Sequence, residues 1–257
     1  MRRKVPQRVP WGWSVAGVVG VVALWQLACI LLKVPLYLVP SPLATVEALA
    51  ADARILGPHL AATAWESVLG LAIAFAFGLA VAVVMNASRV SRGLLYPSLV
   101  LSQAVPLMAV APLVLIWFGL GPSAKVLIVA FVCFFPVTVN AYEGFRTVDP
   151  LYLELLHTLG ARRRDIYRHV VVPATLPGIL AGLRVGGTYS VLGAVIGEWL
   201  GGSRGLGVYM TRALQSFRTD RLFAAILLVM LMSLGLFLVV DGVGFWLTPW
   251  VQRRLRA

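Results

Sequence analysis

The sequence predicts an all-α integral membrane protein: six transmembrane helices in a single domain covering residues 1–257, with a polar elbow between the fourth and the fifth. Three observations lead there. Of the 257 residues, 60% are hydrophobic and only 12% charged, with a mean hydropathy of +0.89. Soluble domains carry about 25% charged residues, so a soluble enzyme is excluded. The apolar residues gather into runs long enough to span a bilayer, where a helix satisfies its own backbone hydrogen bonds. The basic residues behind the net charge of +12 fall mostly between alternate runs, the mark of cytoplasmic loops rather than of a nucleic-acid surface.

Spans of about 20 residues cross the hydrocarbon core. Runs of that kind lie at 13–32, 67–85, 94–118, 126–142, 177–200 and 222–246. The first follows Met1-Arg-Arg-Lys and so resembles a signal peptide, with Leu27-Ala28-Cys29 resembling a lipoprotein site. Gln26 suits such a site poorly and the run is long enough to span, so it reads as an uncleaved first helix. Pro97, Pro106 and Pro112 interrupt the third run, each removing a backbone donor, and split it into two shorter pieces. The external loop 33–66 opens with Pro40-Ser41-Pro42, a capping signal that places a short amphipathic helix near 45–53. Cys29 and Cys133 both lie in apolar runs and read as small buried side chains, not as a disulfide or metal site.

With the N-terminus inside, Arg2, Arg3, Lys4, Arg8, Arg89, Arg92, Arg146, Arg162, Arg163, Arg164, Arg168, Arg253, Arg254 and Arg256 are cytoplasmic. Only Lys33, Arg54, Lys125, Arg204, Arg212, Arg218 and Arg221 are external. This asymmetry puts both termini in the cytoplasm.

The cytoplasmic loop 146–176 is the one large polar insertion. Asp149-Pro150 gives a helix cap with proline at the first helical position, and Leu151, Leu155, Leu156 and Leu159 recur on one face. Gly160 ends that helix; a second, basic turn carries Arg162, Arg163, Arg164 and Arg168 before Pro173 and Pro177. A plain solvated loop needs none of this spacing. Glu154 precedes Gly160 by six residues, and Val170-Val171-Val172-Pro173 begins ten residues after it.

At these residues the chain resembles the permease subunit of an ABC importer, whose loop reads Glu-Ala-Ala, three residues, Gly, nine residues, Ile-x-Leu-Pro. Leu155 and Leu156 stand for the alanines, and Val170 and Val172 for Ile and Leu. The resemblance continues through Leu38-Val-Pro-Ser-Pro42, Pro112-Leu-Val-Leu-Ile-Trp-Phe-Gly119, Phe134-Phe-Pro136 and Gly205-Leu-Gly207, which look like the nitrate, sulfonate and taurine branch. Gln103-Ala-Val-Pro106 and Gly193-Ala-Val-Ile-Gly-Glu-Trp199 look closest to permeases for thiamine-precursor pyrimidines.

The resemblance implies a type I importer fold in the cytoplasmic membrane of a prokaryote, moving a small polar solute by alternating access. It implies a cytoplasmic ATPase dimer contacted by Glu154, Leu155, Leu156, Gly160, Ala161, Arg162 and Pro173. It further implies an extracytoplasmic binding protein and a second copy of the chain within the lipid, with no nucleic-acid partner. No Gly-x-x-x-x-Gly-Lys-Ser/Thr loop occurs, so ATP and Mg are expected on the partner ATPase and this chain is expected to bind no cofactor or metal of its own.

Within the spans, Gly178, Gly182 and Gly186 form a small-residue stripe that suits a close helix contact, either internal or with a second copy. Glu198 sits near the external end of the fifth span beside Trp199 and a loop containing Gly205 and Gly207. It reads as a gate carboxylate pairing with Arg204 or Arg212, or as an interfacial anchor. Gln103, Met108 and Tyr189 are candidates for the pathway lining, with ordinary packing the alternative. Glu66 and Asp241 read as boundary charges that reach water. Gly201-Gly-Ser203-Arg-Gly205 matches a nucleophile-elbow pattern, but His59, His157 and His169 all precede Ser203 and no strand is expected there. An autonomous channel or carrier is the rival class; it would need ion-coupling groups within the spans and has no use for the elbow.

Overall fold

A computed structural model describes residues 11–250. The basic residues at 2–8 and at 253–256 lie outside the described residues, as does the Met1-Arg-Arg-Lys start. The chain is helical throughout that range: α1 (Trp11–Leu31), α2 (Pro42–Ala51), α3 (Ala53–Ala87), α4 (Arg89–Ser102), α5 (Leu107–Phe118) and α6 (Pro122–Phe145) form its first half. The second half holds α7 (Pro150–Thr158), α8 (Arg163–Ile166), a π-helical turn (Tyr167–Val171), α9 (Val172–Leu200), α10 (Leu206–Gln215) and α11 (Thr219–Leu247).

Among the described residues, α3, α6, α11 and the continuous stretch Arg163–Leu200 are long and apolar enough to cross a membrane. The pair α4 and α5 makes a fifth if counted together, bent by 99° at its break. Six uninterrupted spans are therefore not what the helices display. The break falls at Val105-Pro106, where proline cannot donate and the preceding residue is pushed out of the helical region. The second span also starts earlier than its hydropathy: α3 runs for 35 residues from Ala53, since a helix leaving the membrane keeps its hydrogen bonds without needing apolar side chains. The short helix expected near 45–53 is α2, started by Ser41, whose hydroxyl accepts from the Ala44 N–H at 3.2 Å, with Pro42 at the first position.

At the centre stands α6, packed most extensively against α9 and then α3. Leu71 and Ala74 of α3, Val129, Cys133 and Val137 of α6 and Ala194 of α9 fill the contact. The glycine stripe resolves here as an internal seam. A Cβ on Gly178 would lie 2.6 Å from the Gly144 Cα and 2.8 Å from the Asn140 carbonyl, and one on Gly182 would lie 3.1 Å from the Pro136 carbonyl. On Gly186 it would meet Leu71 and Val137. These glycines let α9 approach α6 closely, with Gly182 and Gly186 buried and Gly178 half-buried in the seam. Gly178→Val is expected to lower the melting temperature in detergent by several degrees, since overpacking costs about 1–3 kcal/mol. An unchanged melting curve would count against the seam.

Candidate functional site

The elbow between α6 and α9 is built from local signals. The Asp149 carboxylate accepts from the Leu151 N–H at 2.9 Å, and Pro150 opens α7. At its far end Gly160 adopts φ +81°, with Gly160 N–H donating to the His157 carbonyl and Ala161 N–H to the Leu156 carbonyl, each at 3.0 Å. That is a complete Schellman stop. A Cβ on Gly160 would meet nothing within 4 Å, so conformation alone selects glycine here. The chain then turns through Ala161 and Arg162 into α8, the π turn and α9 with no non-helical residue from Arg163 to Leu200. Pro173 follows directly on the π turn inside this continuous helix, so its missing N–H falls where the regular hydrogen-bond ladder is already altered.

The face of α7 is left uncovered. Leu151, Leu155 and Leu159 are 72%, 54% and 73% exposed on one stripe, while Leu156 is half-buried. Glu154 is exposed beside them and makes no ion pair among the described residues. The stripe and the carboxylate leave an uncovered amphipathic face on the first arm of the elbow.

At the opposite end of α3, α6 and α9 lies a buried polar cluster that sequence reasoning did not foresee. Lys125 of α6 donates to Glu66 of α3 at 2.8 Å, with only 5% and 3% of the two side chains exposed, and to the Arg204 carbonyl at 3.2 Å. Glu66 is thus not a boundary charge reaching water: Lys125 takes it into the interior. Glu198 accepts from the Thr63 hydroxyl and from the Gly207 N–H, both at 2.6 Å. The expected pairing with Arg204 or Arg212 is not made. Arg204 and Arg212 point outward, and only the Arg204 carbonyl reaches the cluster.

The glycines of the 201–207 loop serve close approach as well as flexibility. Gly205 has φ +133°, and its Cβ would fall 2.0 Å from the Glu198 carboxyl carbon; a Cβ on Gly207 would meet the Val195 carbonyl at 2.6 Å. Thr63 Oγ1 also accepts from the Leu206 N–H at 2.8 Å. The His59 Nδ1 lies 3.0 Å from the Gly205 nitrogen and 2.7 Å from its carbonyl oxygen, its tautomer deciding which is the bond. The loop is stitched to α3 and α9 and leads into α10, an amphipathic helix absent from the sequence expectation. Beside it Asp52 accepts from the Tyr209 hydroxyl at 2.6 Å and from Arg221 at 2.9 Å, fixing the corner between α2 and α3. Burial, and then the Asp52 carboxylate, push the Tyr209 phenol above its ordinary value.

Glu198→Gln is expected to keep this arrangement. The glutamine oxygen can face the Gly207 N–H, and Thr63, released to donate to the His59 carbonyl at 3.1 Å, can accept from the amide. Glu198→Ala leaves the Gly207 N–H unpaired and should cost about 1–3 kcal/mol. Thermal unfolding in detergent separates the two; equal loss in both variants would contradict the assignment.

The remaining candidates are dispersed. Gln103 caps α4 at the break, Met108 lies in the first turn of α5, and Tyr189 and Trp199 lie on the uncovered side of α9. All four are exposed on the single chain. Asp241 pairs with Arg184 of α9 at 2.8 Å, tying α11 to α9, so that it is half-exposed yet not free. Ser203 follows a helix, not a strand, which removes the context a nucleophile elbow requires.

The profile of the family described as "binding-protein-dependent transport system inner membrane component" matches residues 72–253. A probable ABC transporter permease protein of Haemophilus influenzae is 38% identical over 87% of this chain and 92% of its own length. The formylaminopyrimidine transport permease protein ThiX of Halalkalibacterium halodurans is 33% identical over 90% of this chain and 92% of its own. The taurine transport system permease protein TauC of Escherichia coli is 32% identical, covering 95% and 94%. Among solved structures, the inward-facing MetNI methionine ABC transporter matches with a TM-score of 0.58 at 18% identity, over 72% of this chain and 94% of that one. At that identity the likeness bears on the fold alone.

Proposed function

The chain belongs to the binding-protein-dependent transport system inner membrane component family, and from that membership we propose how it works. It is the permease subunit of an ABC importer and a multi-pass inner membrane protein. In the proposed assembly two copies enclose an alternating-access pathway in the lipid, two cytoplasmic ATPases grip the α7 elbows, and a binding protein delivers solute from outside. Six crossings are completed by α1, whose 21 residues at about 1.5 Å each reach across the hydrocarbon core, and by the bent pair α4 and α5. Both termini lie in the cytoplasm. ATP and Mg belong to the ATPases.

The observation that carries this reading is the uncovered leucine stripe of α7, one arm of an elbow whose other arm runs without a break from Arg163 into α9. A rigid lever of this kind transmits a movement of the ATPases to the helix at the centre of the fold. The π turn at Tyr167–Val171 sits where the lever meets the membrane helix, and π-bulges are frequent at functional sites. Tyr189, Met108 and Gln103, each exposed on the single chain, are the proposed lining of the pathway. Glu198, Gly205 and Gly207 anchor the external loop, so that this end moves with α3 and α9 as one body.

The solute is proposed to be a small sulfonate or taurine-like anion, or a thiamine-precursor pyrimidine, by similarity to TauC and ThiX. Uptake into proteoliposomes containing the purified complex and its binding protein, with radiolabelled taurine, an alkanesulfonate and formylaminopyrimidine offered separately, tests this. ATP-dependent accumulation of one of them is expected. Accumulation of none would remove the substrate assignment, and accumulation without ATP would remove the importer reading.

A further inference from the structure

At the end of α6 that leads into the elbow, α4 and α6 form a groove of about 460 Å³ lined by Arg92, Gly93, Tyr96, Pro97, Tyr142 and Arg146. Its chemistry is unlike the apolar walls around it. The Arg92 guanidinium is exposed and makes no ion pair or hydrogen bond among the described residues. Arg146 gives only Nη1 to Glu143, at 3.3 Å on the open surface, leaving its other guanidinium donors free. Tyr142 is 3% exposed, yet its hydroxyl bonds to nothing among the described residues. Its ring meets that of Tyr96 at 6.0 Å between centroids. The ring is buried, but the hydroxyl reaches the open groove, where it is free to donate to a bound oxygen.

The placement of the cations is also unfavourable for the helix that bears them. Ser88 caps α4 through the Val90 N–H at 3.2 Å, and Arg89 and Arg92 then occupy its first turn with no acidic residue among them. Cations are disfavoured at that end by the helix dipole, and an anion held beside them offsets that cost. Two arginines and a phenol pair converging on one groove make a site for a phosphate group. A groove between membrane helices at the cytoplasmic surface is where anionic lipid headgroups bind. Exposed Leu94, Val100 and Leu101 on α4 offer an apolar bed for acyl chains.

The geometry points to this groove as a binding site for the phosphate headgroup of an anionic phospholipid of the cytoplasmic leaflet, held by Arg92, Arg146 and the Tyr142 hydroxyl. The site rests on the membrane orientation proposed above. Bound there, the lipid fastens α4 to α6 beside the elbow.

The test is native mass spectrometry of the purified complex after titration with phosphatidylglycerol or phosphatidylcholine. Preferential retention of phosphatidylglycerol is expected. It should fall about tenfold in Arg92→Gln/Arg146→Gln and several-fold in Tyr142→Phe, which removes only the hydroxyl. Inorganic phosphate at millimolar concentration should displace little lipid; displacement, with phosphate itself retained by the wild type, would assign the site to a free phosphate and overturn the lipid assignment. Equal retention of the two lipids, or retention unchanged in the double variant, would overturn the site. Leu151→Cys, on the exposed face of α7 and outside the groove, reports orientation separately. It should react with an impermeant maleimide in inverted vesicles and not in whole cells. The opposite labelling with lipid preference intact would refute the orientation while leaving the site.

Discussion

Gly160→Pro is expected to abolish ATP-driven uptake while leaving the chain inserted and able to dimerise. The wild-type residue has φ +81° and both of the hydrogen bonds that close α7 pass through it or its neighbour Ala161. Proline holds φ near −65° and has no N–H to give the His157 carbonyl, so the chain cannot turn from α7 to α8 on the observed path. The lever is then cut while the spans, which it does not pack into, remain. Gly160→Ala should be milder: an alanine pays about 1–2 kcal/mol for the left-handed conformation and meets nothing there. Uptake should be reduced in alanine and absent in proline. Normal uptake in Gly160→Pro, with the protein shown to be in the membrane, would refute transmission through the elbow.

Lys125→Met is expected to be the most damaging single change to stability. It leaves the Glu66 carboxylate buried without its counter-charge and removes the donor that holds the Arg204 carbonyl. Losing one partner of a buried pair costs about 3–5 kcal/mol, enough to empty the folded state of a marginal protein. The double change Lys125→Met/Glu66→Leu should regain much of that, because two apolar groups of similar size need no partner. Thermal unfolding in detergent checks the cycle. A double variant no more stable than the single one would show that the pair contributes as packing and not as charge.

These two predictions mark the line between what local sequence reveals and what it does not. The elbow was legible because its signals are local: Asp149 before Pro150, leucines at helical spacing, Gly160 after the last of them. The spans were legible from hydropathy, apart from their ends. The α3 helix begins at Ala53, although Arg54, His59 and Glu66 hold its first part outside any apolar window. The buried cluster was not legible, since Lys125 and Glu66 are 59 residues apart, Thr63 and Glu198 are 135 apart, and His59 and Gly205 are 146 apart. A lone carboxylate near a span end suggests a charge reaching water; only the packing of α3 against α6 shows the lysine opposite it. The same distance hides α10, whose apolar face has a partner only once Leu56 and Ala225 are brought beside Leu206 and Met210. The glycine stripe was visible, but its partner was not: Gly144 on α6 identifies the contact as internal.

The central claim is that α7 is the handle by which a separate ATPase drives this chain. It is tested most directly by purifying the tagged protein in mild detergent, identifying the subunits that accompany it by mass, and assaying ATP hydrolysis of the complex. Recovery of an ATPase with the wild type, and its loss from Glu154→Arg with the permease still folded, is the predicted result. A permease that purifies alone and still transports in vesicles, or an ATPase retained in full by Glu154→Arg with undiminished uptake, would contradict it.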